Sequence, residues 1–316
     1  MPAAGDVLTV IGEALIDLVP APDGHFAARP GGSPFNVAIG LARLGQRTAL
    51  MARLADNALG HRLRERAGAE GIALDAAPLA SEPTTLAVVT LDERGRASYD
   101  FYVNGTCDWQ WTAAETRRAP PGTSVLHFGS LASWTAPGDA HILELTRRMR
   151  ARGDVLVSYD PNVRPGLLGD PERGRAAVER AVLHAHLVKA SDDDARWLYP
   201  ERTLDEVAGH WLALGATVVV ITRGGEGATA YARRGEPVSV QARPAALVDT
   251  VGAGDAFSAG LLDSLVRRGL HAPPRLARAG SADLTAALAD ATLTAALNCQ
   301  RAGHDPPTRR EVESGI

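Results

Sequence analysis

The strongest chemical signal in this 316-residue chain is a carboxylate set just inside a glycine-rich turn: Asp249-Thr250-Val251-Gly252-Ala253-Gly254-Asp255-Ala256-Phe257. Downstream, Phe257, Leu261 and Leu265, with Leu262 and Val266 beside them, recur at the spacing of one helix face, and Arg267-Arg268-Gly269 supplies a basic last turn and a stop. The glycines therefore fall at a helix N-terminus. The first N–H groups there lack intrahelical partners and the macrodipole is positive, so a phosphate can bind without a cationic side chain. Asp255 would repel that phosphate unless it had a proton to take, and the pair suits phosphoryl transfer to an alcohol. A tight turn with Asp255 serving only as a helix cap is the structural alternative.

A second glycine segment lies near the N-terminus, where Pro30-Gly31-Gly32-Ser33-Pro34-Phe35-Asn36-Val37-Ala38 precedes a helical pattern carrying Ile39, Ala42 and Leu44 and stopping at Gly45. Two successive glycines bring backbone amides close to a ligand, and Asn36 offers both a donor and an acceptor to hydroxyl groups. Lys189 is the only lysine among 33 lysines and arginines. A compact ammonium is not mimicked by a planar guanidinium, which suggests a place near phosphate; chance survival in an arginine-rich composition is the competing reading.

The elements that must hold these residues are read from apolar runs. Val7 to Gly12, Ser124 to Gly129, Val155 to Tyr159, Leu187 to Ala190 and Thr217 to Ile221 have strand length, and amphipathic stretches such as Asp139 to Arg150 and Pro171 to His184 separate most of them. This alternation predicts βαβ units and a mostly parallel sheet, with ligands bound beyond the carboxyl ends of the strands. Thr84 to Leu91 and Arg96 to Val103, joined by Asp92-Glu93-Arg94-Gly95, predict an antiparallel hairpin. With Ala14 to Phe26 it would form a small sheet projecting as a lid or a subunit contact, or simply edging the core.

Composition excludes several classes. A hydrophobic content of 45% requires a sizeable core, a net charge of -4 gives no basic surface for nucleic acid, and no apolar run has the length to span a membrane. Met1 to Asp6 lacks the basic and apolar regions of a secretory leader, and Cys107 and Cys299 are too few for a disulfide framework or a zinc site. The expectation is a cytoplasmic protein forming one domain over residues 1–316, with lid strands from about 14–33 and 84–106.

Together the two glycine segments resemble the signature regions of the PfkB family of carbohydrate kinases, and Asp249 to Phe257 matches the C-terminal signature at every characteristic position. The resemblance runs from Gly12-Glu13-Ala14-Leu15-Ile16-Asp17 to Gly303-His304-Asp305-Pro306-Pro307. It implies a ribokinase-like α/β three-layer sandwich, with a mostly parallel central sheet and a small β-sheet lid. It further implies that Asp255 is the general base, that Gly252, Ala253 and Gly254 form an anion hole, and that ATP carries Mg²⁺ on its phosphates. Asp17, Gly31, Gly32, Asn36, Tyr102, Asn162 and Arg164 would hold the sugar. Lys189, Ser191, Thr222, Gly224, Gly227 and Asn298 would hold ATP, although Asn298 could equally be a solvated helix residue. Asp249 resembles a residue that helps bind a monovalent cation such as K⁺ in some members; its alternative is to cap the turn. The chain departs from the pattern at Ala55, where many relatives carry Gly, and at Ser191-Asp192-Asp193-Asp194, where ribokinases have Asn-x-x-Glu. Asp194 still offers a carboxylate for Mg²⁺, one methylene shorter, or is merely part of an acidic helix start.

The string Asp160-Pro161-Asn162-Val163-Arg164 resembles the fructokinase and 2-keto-3-deoxygluconate kinase branch. Acid-sugar kinases of that branch carry a further arginine on the hairpin, in a Tyr-x-Arg-like run, whereas this chain has Tyr102-Val103-Asn104-Gly105. A lost charge contact to a carboxylate costs on the order of a few kcal/mol, which favours fructose over an acidic sugar. Ribokinase, nucleoside kinase and a non-catalytic sugar- or ATP-binding regulator remain as alternatives. Trp109 and Trp111 could stack on a sugar ring or pack internally. A homodimer through the lid is expected.

Overall fold

The computed structural model describes residues 5–21, 23–91 and 97–315. Its strands are β1 Val7–Ile11, β2 Leu15–Pro20, β3 Phe26–Gly31, β4 Thr48–Met51, β5 Leu54–Ala55, β6 Leu79–Ala80, β7 Leu86–Leu91, β8 Ala97–Tyr102, β9 Thr123–Gly129, β10 Leu156–Asp160, β11 Leu187–Ser191, β12 Val218–Thr222, β13 Ala228–Ala232 and β14 Val238–Val240. Eight of these form the main sheet in the order β14-β13-β12-β11-β10-β9-β1-β4. From β4 to β12 neighbours pair in parallel, and β13 and β14 close one edge antiparallel.

The strands are apolar on both sides because both faces are covered. Leu156, Leu187, Val218 and Val220 point into one buried cluster, while Val157, Val188, Val219 and Ile221 point into the other, as a two-residue repeat requires. The first cluster takes in the helices Ser33–Arg43, Ala253–Arg267 and Ser281–Cys299, and the second the helices Asp139–Arg152, Pro171–Val182 and Leu204–Leu214. This is the three-layer α/β arrangement expected. The helix Ala253–Arg267 packs between Ser33–Arg43 and Ser281–Cys299. Small residues permit the closeness: a side chain on Gly40 would strike Ala259, and one on Gly260 would strike Thr294 at 2.6 Å.

A second sheet, ordered β3-β2-β7-β8, stands apart from the first. Strands β7 and β8 are antiparallel as expected, whereas β2 and β7 pair in parallel and β3 flanks β2. Asp92 to Gly95, the expected turn, and the Arg96 expected to start a strand lie outside the described residues, as do Met1 to Ala4 of the leader argument. No helix of the described residues is long and apolar enough to cross a membrane.

Candidate active site

The helix Ala253–Arg267 begins where Gly252 takes a left-handed conformation (φ 70°), which glycine adopts without steric cost. Ala253 N–H turns back to Thr250 O at 3.1 Å. This removes one of the three donors expected for an anion hole, and helical geometry leaves the N–H groups of Gly254 and Asp255 without intrahelical acceptors. Gly254 is exposed, so that end of the helix is open to solvent.

Asp255 occupies the first turn and faces the helix Ser33–Arg43. Ser33 Oγ donates to its Oδ1 at 2.6 Å and Asn36 Nδ2 to its Oδ2 at 2.8 Å. Burial pushes the carboxyl up to about 6; the bonds from Ser33 and Asn36 and the charge of Lys189 pull it back, and Asp160 adds to the rise. A carboxylate in that range is an effective proton acceptor near neutrality. The sequence expectation put Asn36 on the sugar, but its amide reaches the base. The sequence gives no sign of the Ser33 contact, because its neighbour in space lies 222 residues away.

Behind the helix start sits a buried ion pair. Lys189 Nζ on β11 donates to Asp160 Oδ2 at the end of β10 at 2.9 Å, with side-chain exposures of 8% and 3%. Ser258 Oγ approaches the same oxygen at 3.4 Å. A side chain on Gly254 would lie 3.1 Å from Nζ, so the ammonium is directly under the anion-binding turn. Burial pulls the Lys189 pKa down, yet Asp160 outweighs it and the net direction is upward. The lone lysine is thus close to the expected phosphate position.

Most of the residues expected on the acceptor side lie in or next to the small sheet. Asp17 lies in β2 of the small sheet, because the chain leaves the main sheet at Gly12. Its carboxylate occupies the space that a side chain on Gly31 would need. Gly32 is left-handed (φ 103°), and a Cβ there would meet Glu13 O at 2.8 Å. Burial raises the Asp17 carboxyl to about 6, opposed by Arg164 and assisted by Asp255. Arg164, following β10, lines a cleft of about 560 Å³ with Tyr99, Phe101, Tyr102, Pro165 and Leu167. By strand register Tyr99 and Phe101 share the face of Asp17, and Tyr102 is on the opposite face, 62% exposed. Tyr99, which no expected site role singled out, is the tyrosine beside the charge cluster; burial, with Asp17 next in effect, raises its pKa.

The other expected residues differ in what holds them. Asn162 (φ 40°) donates through Nδ2 to Ser130 Oγ at 3.1 Å, and Ser130 is itself left-handed (φ 52°). Asn298 is fully buried, neither solvated nor open to a nucleotide base, and its Nδ2 holds Val251 O at 2.9 Å beneath the turn. Gly227 (φ 99°) is packed against the backbone of β14. Thr222 and Ser191 are adjacent at the ends of β12 and β11, and Gly224 is exposed beyond them. Trp109 and Trp111 are 2% exposed core residues, and Trp109 Nε1 donates to Val103 O at 2.8 Å.

Neither expected metal ligand has a free carboxylate. Asp194 Oδ1 accepts from Val163 N at 2.9 Å and Oδ2 from Ser191 N at 3.1 Å, as the partner in a capping box. Asp249 Oδ1 accepts from Val251 N at 3.0 Å and Oδ2 from Gly303 N at 2.7 Å, which ties the C-terminal tail to the turn. Among the described residues no group of three or more His, Cys, Asp or Glu could hold a metal ion. The residues fit caps better than a protein-built Mg²⁺ cage.

A two-layer-covered parallel sheet, with a carboxylate at an open helix start and a small sheet over the cleft, is the architecture of a small-molecule phosphotransferase. The pfkB family carbohydrate kinase profile matches residues 6–310, and the chain belongs to that family of ATP-dependent sugar kinases. Among curated relatives, the fructokinase of Rhizobium leguminosarum bv. trifolii is 38% identical over 259 residues, covering 80% of this chain and 78% of the relative. That of Klebsiella pneumoniae is 32% identical over 268 residues, covering 83% and 85%. Among crystal structures, the Xylella fastidiosa fructokinase with bound ATP superposes with a TM-score of 0.89 at 25% identity, covering 98% of each chain. The Vibrio cholerae O395 fructokinase with fructose, ADP and calcium ion bound gives 0.87 at 26% identity, covering 99% of this chain and 100% of the other.

Proposed function

We propose that this kinase transfers the γ-phosphoryl group of MgATP to a hydroxyl of fructose, with Asp255 as general base. The observation that carries the proposal is the placement of Asp255: its carboxylate is gripped from the Ser33–Arg43 side while it sits in the first turn of a helix that starts at the left-handed Gly252 and the exposed Gly254. In-line attack needs the acceptor hydroxyl between that carboxylate and the phosphoryl group. Fixed N–H donors at Gly254 and Asp255 would then meet charge as it develops on the phosphoryl oxygens, without reorganisation. Gly252 and Ala253 shape the turn, and Lys189 lies beneath it. Mg²⁺ enters with ATP, and Asp249 and Gly303 form the region where K⁺ would act if the enzyme requires it. Ser191, Thr222 and Gly224, at the ends of adjacent strands, suit the nucleotide.

A neutral acceptor is supported by the charge count at the sugar end. Arg164 donates to Asn162 O at 3.3 Å and Val163 O at 3.0 Å, and its charge already serves the Asp17 carboxyl, whose rise it opposes. An acidic sugar would bring a second carboxylate to that neighbourhood, and Val103 supplies no further charge. Relatives named fructokinase agree with this choice. The small sheet serves as a lid on one domain spanning 1–316. Its exposed Phe26 and Tyr102 would be covered in a homodimer.

A coupled ATP assay over fructose, ribose, tagatose, 2-keto-3-deoxygluconate and adenosine tests the acceptor; a higher kcat/KM on the acid sugar or on adenosine than on fructose overturns it. Asp255→Asn is expected to lower kcat by at least ~10²-fold with ATP affinity kept, as for a lost general base.

A further inference from the structure

Ser33 has no place in the chemistry described so far, yet its bond to Asp255 is the shorter of the two that grip the carboxylate, 2.6 Å against 2.8 Å from Asn36. The two donors stand three residues apart on one helix face, which brings both onto a single carboxylate. Ser33 is 9% exposed, so water is a poor substitute for its hydroxyl. The charged groups facing Asp255 are Lys189 on β11, Asp160 on β10 and Asp17 on β2. Lys189, the cation among them, is already paired with Asp160, which leaves the ionised form dependent on its neutral donors.

We infer that Ser33 is a positioning residue for the base: its hydroxyl holds the Asp255 carboxylate ionised and in one orientation, and thereby sets the acid limit of turnover. The inference rests on Asp255 being the base. A hydroxyl that donates to a carboxylate favours the charged form, so its removal makes the carboxyl harder to ionise. The base works only when ionised, so the acid limb of the rate profile must move to higher pH.

The test is the pH dependence of kcat/KM for the best acceptor, measured on the full-length enzyme with Ser33→Ala and Ser33→Thr. Ser33→Ala is expected to move the acid limb upward by about one pH unit, with a deficit largest near pH 6 and shrinking toward pH 8.5. Ser33→Thr keeps the hydroxyl and is expected to restore the limb. A uniform loss across pH in Ser33→Ala, or an unmoved limb, overturns the inference even if the melting temperature falls. Asp255→Asn run alongside separates the two ideas: if it is inactive while the Ser33→Ala limb stays put, only the Ser33 inference fails. If Asp255→Asn turns over normally, the base assignment fails and takes this inference with it.

Discussion

Lys189→Met is the sharpest perturbation of the site, because it breaks a pair whose partners are almost wholly removed from water. The side chains of Lys189 and Asp160 are 8% and 3% exposed and meet at 2.9 Å. Methionine fills much of the same volume, so the main loss is charge. Asp160 would keep Asn162 N–H at 3.2 Å and Ser258 Oγ at 3.4 Å, neither of which replaces an ammonium. Removing one partner of a buried pair costs about 3–5 kcal/mol, since the other charge is left uncompensated. Against a total stability of roughly 5–15 kcal/mol this is severe, and it corresponds to a fall in Tm on the order of 10 °C. Adding Asp160→Asn removes the stranded charge, so the double variant should be more stable than Lys189→Met alone. The assay is thermal and urea unfolding without nucleotide or sugar, arranged as a double-mutant cycle. A Lys189→Met protein within about 1 kcal/mol of the parent, or strictly additive single effects, refutes the reasoning that the pair is desolvated and coupled.

Two further substitutions separate roles within the same neighbourhood. Gly252→Ala places a Cβ against the His304 ring and forces a left-handed alanine at φ 70°, so Tm should fall by several degrees along with kcat. Gly254→Ala meets only Lys189 Nζ, at 3.1 Å, and needs no left-handed alanine, so Tm should fall less than in Gly252→Ala while phosphoryl transfer slows; equal Tm losses in the two would contradict this distinction. Glu13 is fully buried, and burial raises its carboxyl from 4.5 to about 7, so the folded state keeps a proton that the unfolded state gives up earlier. The resulting stabilisation is present below about pH 4.5 and lost as pH rises to about 7, an effect of about 3 kcal/mol. Glu13→Gln should therefore gain stability relative to the parent between pH 5 and pH 8 by differential scanning calorimetry, and a pH-independent difference between the two proteins would count against it.

The fold was legible where one physical cause dominated. Runs such as Val218 to Ile221 are apolar at every position because both sheet faces are covered, and they stood out as strands. Short or mixed strands did not: Ala228–Ala232 and Val238–Val240 sit at the antiparallel edge, where the pattern is weaker. In the site, Gly252 and Asp255 were legible because a left-handed turn and a first-turn carboxylate are local matters of spacing. Asn298, Asp194 and Asp249 were read as ligand contacts because their residue types suit that task. The structure favours the capping alternatives for both carboxylates, which the local Asp194–Ser191 and Asp249–Val251 spacings allow, but the partners Val163, Gly303 and, for Asn298, Val251 lie far along the chain and no local pattern discloses them. Tyr99 and Tyr102 illustrate the same limit, since strand register decides which of the two faces Asp17.

The supports of the base come from both ends of the chain, and that has a mechanical consequence. Ser33 and Asn36 hold Asp255 from the N-terminal helix, while His304 Nε2–H donates to Asn36 O at 3.0 Å and its ring lies against Gly252. Burial lowers the His304 pKa to about 4, so the ring is neutral near pH 7 and can donate from one nitrogen only. The neighbouring Gly303 N–H holds Asp249, and Asp305 is paired with Arg43 of the same N-terminal helix. The tail at 303–305 therefore fastens the acceptor-side helix to the anion-binding turn. Strand β3 of the small sheet leads directly into that helix, so under the proposed function a shift of the small sheet on sugar binding would be felt at Ser33 and Asn36 first. The proposed base would then be coupled to the acceptor pocket through its own hydrogen bonds, and phosphate bound at the turn would act on the same carboxylate from the other side.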